Sequence, residues 1–144
     1  MVSDKLSLPL ILNASVAMLF ENQQFDANFK IVANWSNHVF RYCDFHGINS
    51  EGDHIDSTFL GCTFEECEWY WGLFNLAVFV QVKFTHCVFR GTAFSGSKFI
   101  ECEFVGCQFI KDNLNSECSF HDVMWYGCTQ SGCGALGKLI GKSK

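Results

Sequence analysis

Phe59, Phe64, Phe74, Phe79, Phe84, Phe89, Phe94, Phe99, Phe104 and Phe109 fall on one series of step five, and Trp69 and Leu114 fill its remaining places. A helix returns an apolar residue to one face near every 3.6 positions and a strand near every second, so neither produces this spacing. Two residues before these centres stand Ser57, Cys62, Cys67, Gly72, Ala77, Val82, Cys87, Thr92, Ser97, Cys102, Cys107 and Asp112, all but the last of them small. The period is five, with a large apolar residue and a small one held in fixed phase. That phase accounts for an otherwise odd composition of sixteen Phe and nine Cys in 144 residues.

Units such as Cys62-Thr-Phe64-Glu-Glu, Cys87-Val-Phe89-Arg-Gly and Cys102-Glu-Phe104-Val-Gly resemble the consensus of the pentapeptide-repeat family in a Cys-x-Phe form. The resemblance implies an all-β fold, a right-handed quadrilateral parallel β-helix with four pentapeptides per coil and the centres and small residues pointing inward. Each five-residue side is too small to bury its apolar residue alone, so stacked coils must share one core. Seventeen to twenty units would make four or five coils, a rod roughly 20–25 Å long at strand spacing. Phenylalanine at the centres predicts stacked aromatic ladders inside it.

The register slips on both sides of the main block. Trp35, Phe40 and Phe45 share an earlier phase with Phe20 and Phe25, while Lys30 breaks it. Continuing that phase would put centres at Ser50 and Ile55, whereas the block starts at Phe59, so the polar run 49–54 reads as a loop. Downstream, Leu114 leads to Phe120 and Trp125, with residues 112–117 absorbing one extra residue. In this last phase Cys118, Cys128 and Cys133 again stand two before a centre. The expected organisation is therefore an N-terminal cap over 1–24, repeats over 25–135 interrupted near 49–56 and 112–117, and a Gly/Lys-rich tail over 136–144. In the cap, Leu6, Leu8, Leu10 and Leu12 alternate as in an edge strand, and Asn13 caps a short helix from Ala14 to Asn22. The tail would cap weakly, fray or dock on a partner.

Lys5 and the leucines after it faintly resemble a secretory signal, but Asp4, Pro9 and Asn13 interrupt the pattern. No apolar run reaches the length of a membrane span. Nine cysteines in a stacking phase suit a reducing compartment better than a disulfide scaffold, so a cytoplasmic protein is expected, and the family resemblance implies a bacterial one. At 49% apolar and 17% charged residues the chain is globular, and 144 residues make one domain. Its net charge of −5 argues against a direct nucleic-acid partner.

Catalytic chemistry finds no foothold. There is no Cys-x-x-Cys for zinc, no phosphate loop, no Gly-x-Ser-x-Gly and no His-Glu-x-x-His. His38, His46, His54, His86 and His121 share no ligand spacing, and Glu65, Glu66 and Glu68 read as a solvated face. Cys67, Cys87 and Cys107, twenty residues apart, should stack in one inward column, where small, weakly polar side chains fill a tight space. Neither an enzyme, a metal site nor a cofactor is expected.

Outward positions are where function would reside. Folded at period twenty, Leu60, Val80 and Ile100 form an apolar column with Val78 beside it, and a neighbouring side carries Tyr70 and Trp71. An aliphatic stripe facing solvent marks a partner surface or a covered patch, here one that the N-terminal segment would cover. The sequence thus reads as a non-catalytic module that binds a protein, or a second copy of itself, through one side of the rod. Two alternatives come from the family resemblance. One is a DNA mimic that protects gyrase from quinolones, since Glu103-Phe-Val-Gly-Cys-Gln-Phe109 and the following interruption resemble a stretch of the Qnr-type members. The other is a secretion-linked effector or toxin-immunity protein. A mimic needs acidic columns along the rod, yet one coil after Glu65 and Glu66 come Thr85 and His86.

Overall fold

The computed structural model describes residues 17–28 and 35–142. Its strands are two or three residues long and assemble into four parallel sheets, the four faces of a rod. Face 1 runs through Leu19–Glu21, Val39–Arg41, Thr58–Leu60, Val78–Val80, Lys98–Ile100 and Met124–Tyr126. Face 2 runs through Gln24–Phe25, Asp44–His46, Thr63–Glu65, Lys83–Thr85, Glu103–Val105 and Thr129–Ser131. Face 3 holds Asn49–Glu51, Glu68–Tyr70, Val88–Arg90 and Gln108–Ile110, and face 4 holds His54–Ile55, Leu73–Asn75, Ala93–Ser95 and Ser119–His121. Trp35 bridges to Ile55 at the start of face 4. The chain visits the faces in turn, giving four complete coils and a partial one at each end. This is the all-β quadrilateral β-helix that the repeat implies.

Register explains the period. Centre pairs with centre from coil to coil, as in Phe59↔Phe79↔Phe99 on face 1 and Phe64↔Phe84↔Phe104 on face 2. Their rings stack into ladders: Phe59–Phe79 and Phe79–Phe99 have centroids 4.9 and 4.8 Å apart, and Phe84–Phe104 lie 4.7 Å apart. Rings on adjoining faces meet edge-on, as Phe79 and Phe84 do at 60°. Each ring therefore gains both stacked and edge contacts.

The small position has a second job. At the corner before each side, a backbone carbonyl of the preceding coil points inward and needs a donor. The thiols of Cys62, Cys87 and Cys102 donate to the carbonyls of Phe40, Phe64 and Phe79, each at 3.3 Å. Thr92 and Ser97 hydroxyls do the same for Trp69 and Phe74, at 3.1 and 3.0 Å. The residue two after each centre turns the corner, and most of these residues lie at positive φ, including Gly61, Gly91, Gly96 and Gly106.

Several expectations need correction. Ser50 and Ile55 are true centres, pairing with Trp69 and Phe74, so 49–51 and 54–55 are strand and not loop. The missing residue is lost between Ile55 and Phe59, where the corner is one residue shorter. Leu114 does not point inward: it is 74% exposed at the tip of a loop, and Phe120 takes its place by pairing with Phe94. The expected helix over Ala14–Asn22 falls partly outside the described residues, and its described end, Leu19–Glu21, is strand paired with Val39–Arg41. The leucines of the cap lie wholly outside them. Of the three outcomes open to the tail, its described part takes the cap: it forms helix α1 (Leu136–Lys142), which seats Leu136 and Ile140 over the end of the core.

Candidate functional site

With the centres turned inward, the residues on either side of each centre face out. On face 1 the row after the centres reads Glu21, Arg41, Leu60, Val80, Ile100 and Tyr126, and the row before reads Leu19, Val39, Thr58, Val78, Lys98 and Met124. The column expected from sequence therefore forms, with Val80 between Leu60 and Ile100 and Val78 beside it. These four are half-buried by their neighbours in the rows, while Leu19, Met124 and Tyr126 are exposed. Charge on this surface is confined to the Glu21–Arg41 ion pair and Lys98.

Tyr70 and Trp71 do not join that surface. They lie at the end of face 3, and with four faces per coil this side is opposite face 1 rather than next to it. Their rings stack on each other at 4.3 Å, and Arg90 lies 5.9 Å over Tyr70 while pairing with Glu68 at 3.3 Å. Both also anchor the inserted loop. The Trp71 indole N–H donates to Asp112 Oδ2 at 2.8 Å, and the Asn113 amide donates to the Tyr70 hydroxyl at 3.2 Å. Asp112 Oδ1 accepts the amides of Leu114 and Ser116, each at 2.8 Å, which closes the loop. The Ser116 amide foremost, with the Trp71 indole and the Leu114 amide, holds the Asp112 carboxyl below its ordinary value.

The cysteines stand at the small position, and all but the half-buried Cys118 are buried. The expected column of Cys67, Cys87 and Cys107 forms and continues to Cys133, whose Sγ accepts the Cys107 amide at 3.2 Å. All nine thiols are unpaired by disulfides. Burial pushes Cys62 up to about 12, and Cys87 is raised by its thiol contacts with Cys107 and Cys67 and by burial. Other thiols shift the other way: contact with the Cys87 thiol lowers Cys67 and Cys107, and contact with the Cys102 thiol lowers Cys128 to about 7. Among the described residues no three of His, Cys, Asp and Glu are placed to hold a metal ion. His38 occupies a small-residue position; its Nδ1 accepts the Met18 amide at 3.2 Å, and burial lowers its pKa against an opposing pull from Asp56.

Sequence reasoning missed four outward residues that extend the apolar surfaces: Leu73, Leu76, Met124 and Tyr126. A signal was present for Leu76. Gly61, Gly91, Gly96 and Gly106 each stand two after a centre, which marks that phase as the corner. Trp71 and Leu76 share it, and a bulky apolar residue there must lie on the outside.

Residues 77–114 match the family model for pentapeptide repeats, in eight copies. No characterised protein sequence matches the chain. Among solved structures, three of QnrB1, a plasmid-mediated fluoroquinolone resistance protein, are similar to this chain. A trypsin-treated variant aligns at 14% identity over 81% of this chain and 72% of its own, with a TM-score of 0.38. A second trypsin-treated variant has the same identity and coverage with a TM-score of 0.26. The full-length protein aligns at 13% identity over 81% and 70%, with a TM-score of 0.22. Over residues 77–114 the chain is thus similar to the pentapeptide-repeat proteins, and the coils carry the same kind of centre-to-centre pairing from Phe20 to Gln130.

Proposed function

We propose that the protein is a non-catalytic binding module that engages a protein partner through face 1. The observation that carries this reading is the run of Leu60, Val80 and Ile100, with Val78 beside it, on the outside of a six-stranded flat sheet. Six strands side by side at about 4.8 Å make a strip roughly 24 Å long. Aliphatic side chains on such a strip order water that contact with a partner releases. A second copy of the chain is the simplest such partner, because both signs of charge, Glu21 with Arg41 and Lys98, sit on the one face.

Val80→Asp is the test, with Thr85→Asp on the polar face 2 as control. The expected result is an unchanged circular dichroism spectrum for both variants, with self-association in sedimentation, or capture of the native partner, lost in the first alone. Equal behaviour of the two would leave face 1 as mere surface. The DNA-mimic reading gains no support from charge placement. Glu65 pairs in register with His46 and Thr85, and Glu103 with Lys83 and Thr129, so no acidic column runs along face 2.

A further inference from the structure

Corner residues lie in the left-handed backbone region, where a side chain larger than glycine is strained by its own Cβ. Eight corners are glycine, and most others are small or polar. Trp71 (φ 58°), Leu76 (φ 60°) and Tyr42 (φ 55°) are the large, exposed hydrophobic ones, and of these Trp71 and Leu76 sit at the two ends of one strand, Leu73–Asn75 on face 4. Leu73 between them is exposed as well. Inward packing explains none of the three.

Each is nevertheless held in place. Leu76 is 65% exposed but lies along the bare corner of the next coil, where a Cβ on Gly96 would come within 2.8 Å of its Cδ2. Trp71 is fixed between the Tyr70 ring and Asp112. Beyond Trp71 the closed loop presents Leu114 to solvent. A fixed apolar side chain loses little rotamer freedom when it is covered, which favours association.

Carboxylates outnumber cations around this strip, where Arg90 is paired with Glu68 and Lys111 with Glu117. Asp112 stands beside Trp71, Asp56 follows Ile55 one coil below, and Asp122 turns the corner above Gly96. On the outward positions of face 4 and its two corners, among the described residues, the basic side chains are His54, His121 and Lys111, and Lys111 lies 3.9 Å from Glu117. The geometry points to a second docking surface: the strip Trp71–Leu73–Leu76 on face 4 takes a basic amphipathic helical segment of a protein partner. The two anchors are five residues apart, at most about 17 Å by backbone reach. Two to three helical turns of about 5.4 Å cover that span with apolar residues on one side. Lysines or arginines on the flanks of the helix would meet the three aspartates.

The reading is independent of face 1, and a peptide titration separates them. The probe is a fluorescently labelled 18-residue helical peptide with leucine on one side and lysine on the other. Binding to the full chain should saturate, and its anisotropy change should weaken at least tenfold in Leu76→Asn and in Leu73→Ser. Asparagine tolerates the left-handed corner, so the thermal midpoint of Leu76→Asn should hold or rise, which separates lost binding from lost fold. Val80→Asp should bind the peptide as the natural chain does, and a leucine/glutamate peptide of the same pattern should bind at least tenfold more weakly. Undiminished binding by Leu76→Asn and Leu73→Ser, absence of saturation, or loss of binding in Val80→Asp would each overturn the assignment.

Discussion

Faces 1 and 2 are built alike and dressed differently. Both are six-stranded parallel sheets, and both carry a ladder of phenylalanines inside. Outside, face 2 presents Asp44, Thr63, Glu65, Lys83, Thr85 and Glu103, where face 1 presents aliphatic residues. Since face 2 forms its coils with polar side chains, the apolar row on face 1 is not a requirement of the fold. Their inner small columns differ too. Face 2 uses Cys43, Cys62, Val82, Cys102 and Cys128, whereas face 1 uses His38, Ser57, Ala77 and Ser97. Cys, Ser and Thr at that position donate to a carbonyl of the preceding coil, while Ala77 and Val82 fill it without a donor, so donor capacity is common there but not required.

The largest expected effects fall on the ladders and should be the same on both faces. Phe79→Ala and Phe84→Ala should each cost on the order of 3–5 kcal/mol in denaturant unfolding, because each leaves a cavity between two stacked rings. A much smaller loss on either face would break the equivalence. The corners should differ. Gly61→Ala, after face 1, meets the Tyr42 ring at 2.8 Å and has φ +64°, so about 2 kcal/mol is expected. Gly47→Ala, after face 2, has φ +69° and open space, so about 1 kcal/mol from backbone strain is expected.

Smaller effects sharpen the contrast between the inner columns. Cys102→Ala should cost about 1 kcal/mol by leaving the Phe79 carbonyl without its donor, and Cys102→Ser should recover most of it. Acid should act through the face 1 column. His38 is held below its ordinary 6.5 by burial, so the unfolded chain takes up a proton that the folded chain resists. This contribution to stability is flat above pH 6.5, falls as pH drops below it, and levels off beneath the folded-state pKa. His38→Ser should remove that share of the slope in thermal midpoints measured from pH 7.5 to 5. Outward changes come last: Val80→Asp and Thr85→Asp should both shift stability by only about 0.5 kcal/mol.

Most of the architecture was legible because period five leaves few ways to fold. The phase of the phenylalanines gave the inside of the rod, and period twenty gave the column of Leu60, Val80 and Ile100. Legibility failed where the phase slipped. Ser50 is a polar centre, so hydropathy read its strand as a loop, yet register against Trp69 keeps it in the sheet. Leu114 is apolar and in phase, so it read as inward, yet Asp112 closes a turn that expels it. Phe120 follows Phe109 by eleven positions in the chain, and only its pairing with Phe94 tells that the insertion was six residues and not one. Tyr70 and Trp71 were placed on a neighbouring side because counting gave their column but not its angle about the axis.

Helix α1 bears on how rods of this kind meet end to end. Parallel ladders leave unpaired amides and carbonyls on their last strands, a template on which another molecule can add and filaments can grow. Here the strand Thr129–Ser131 closes face 2, and α1 packs directly against it and against Met124–Tyr126. Leu136 and Ile140 plug the space where a further pair of rungs would stack. The seven-residue helix thus acts as a stopper against polymerisation at this end and gives the rod a direction.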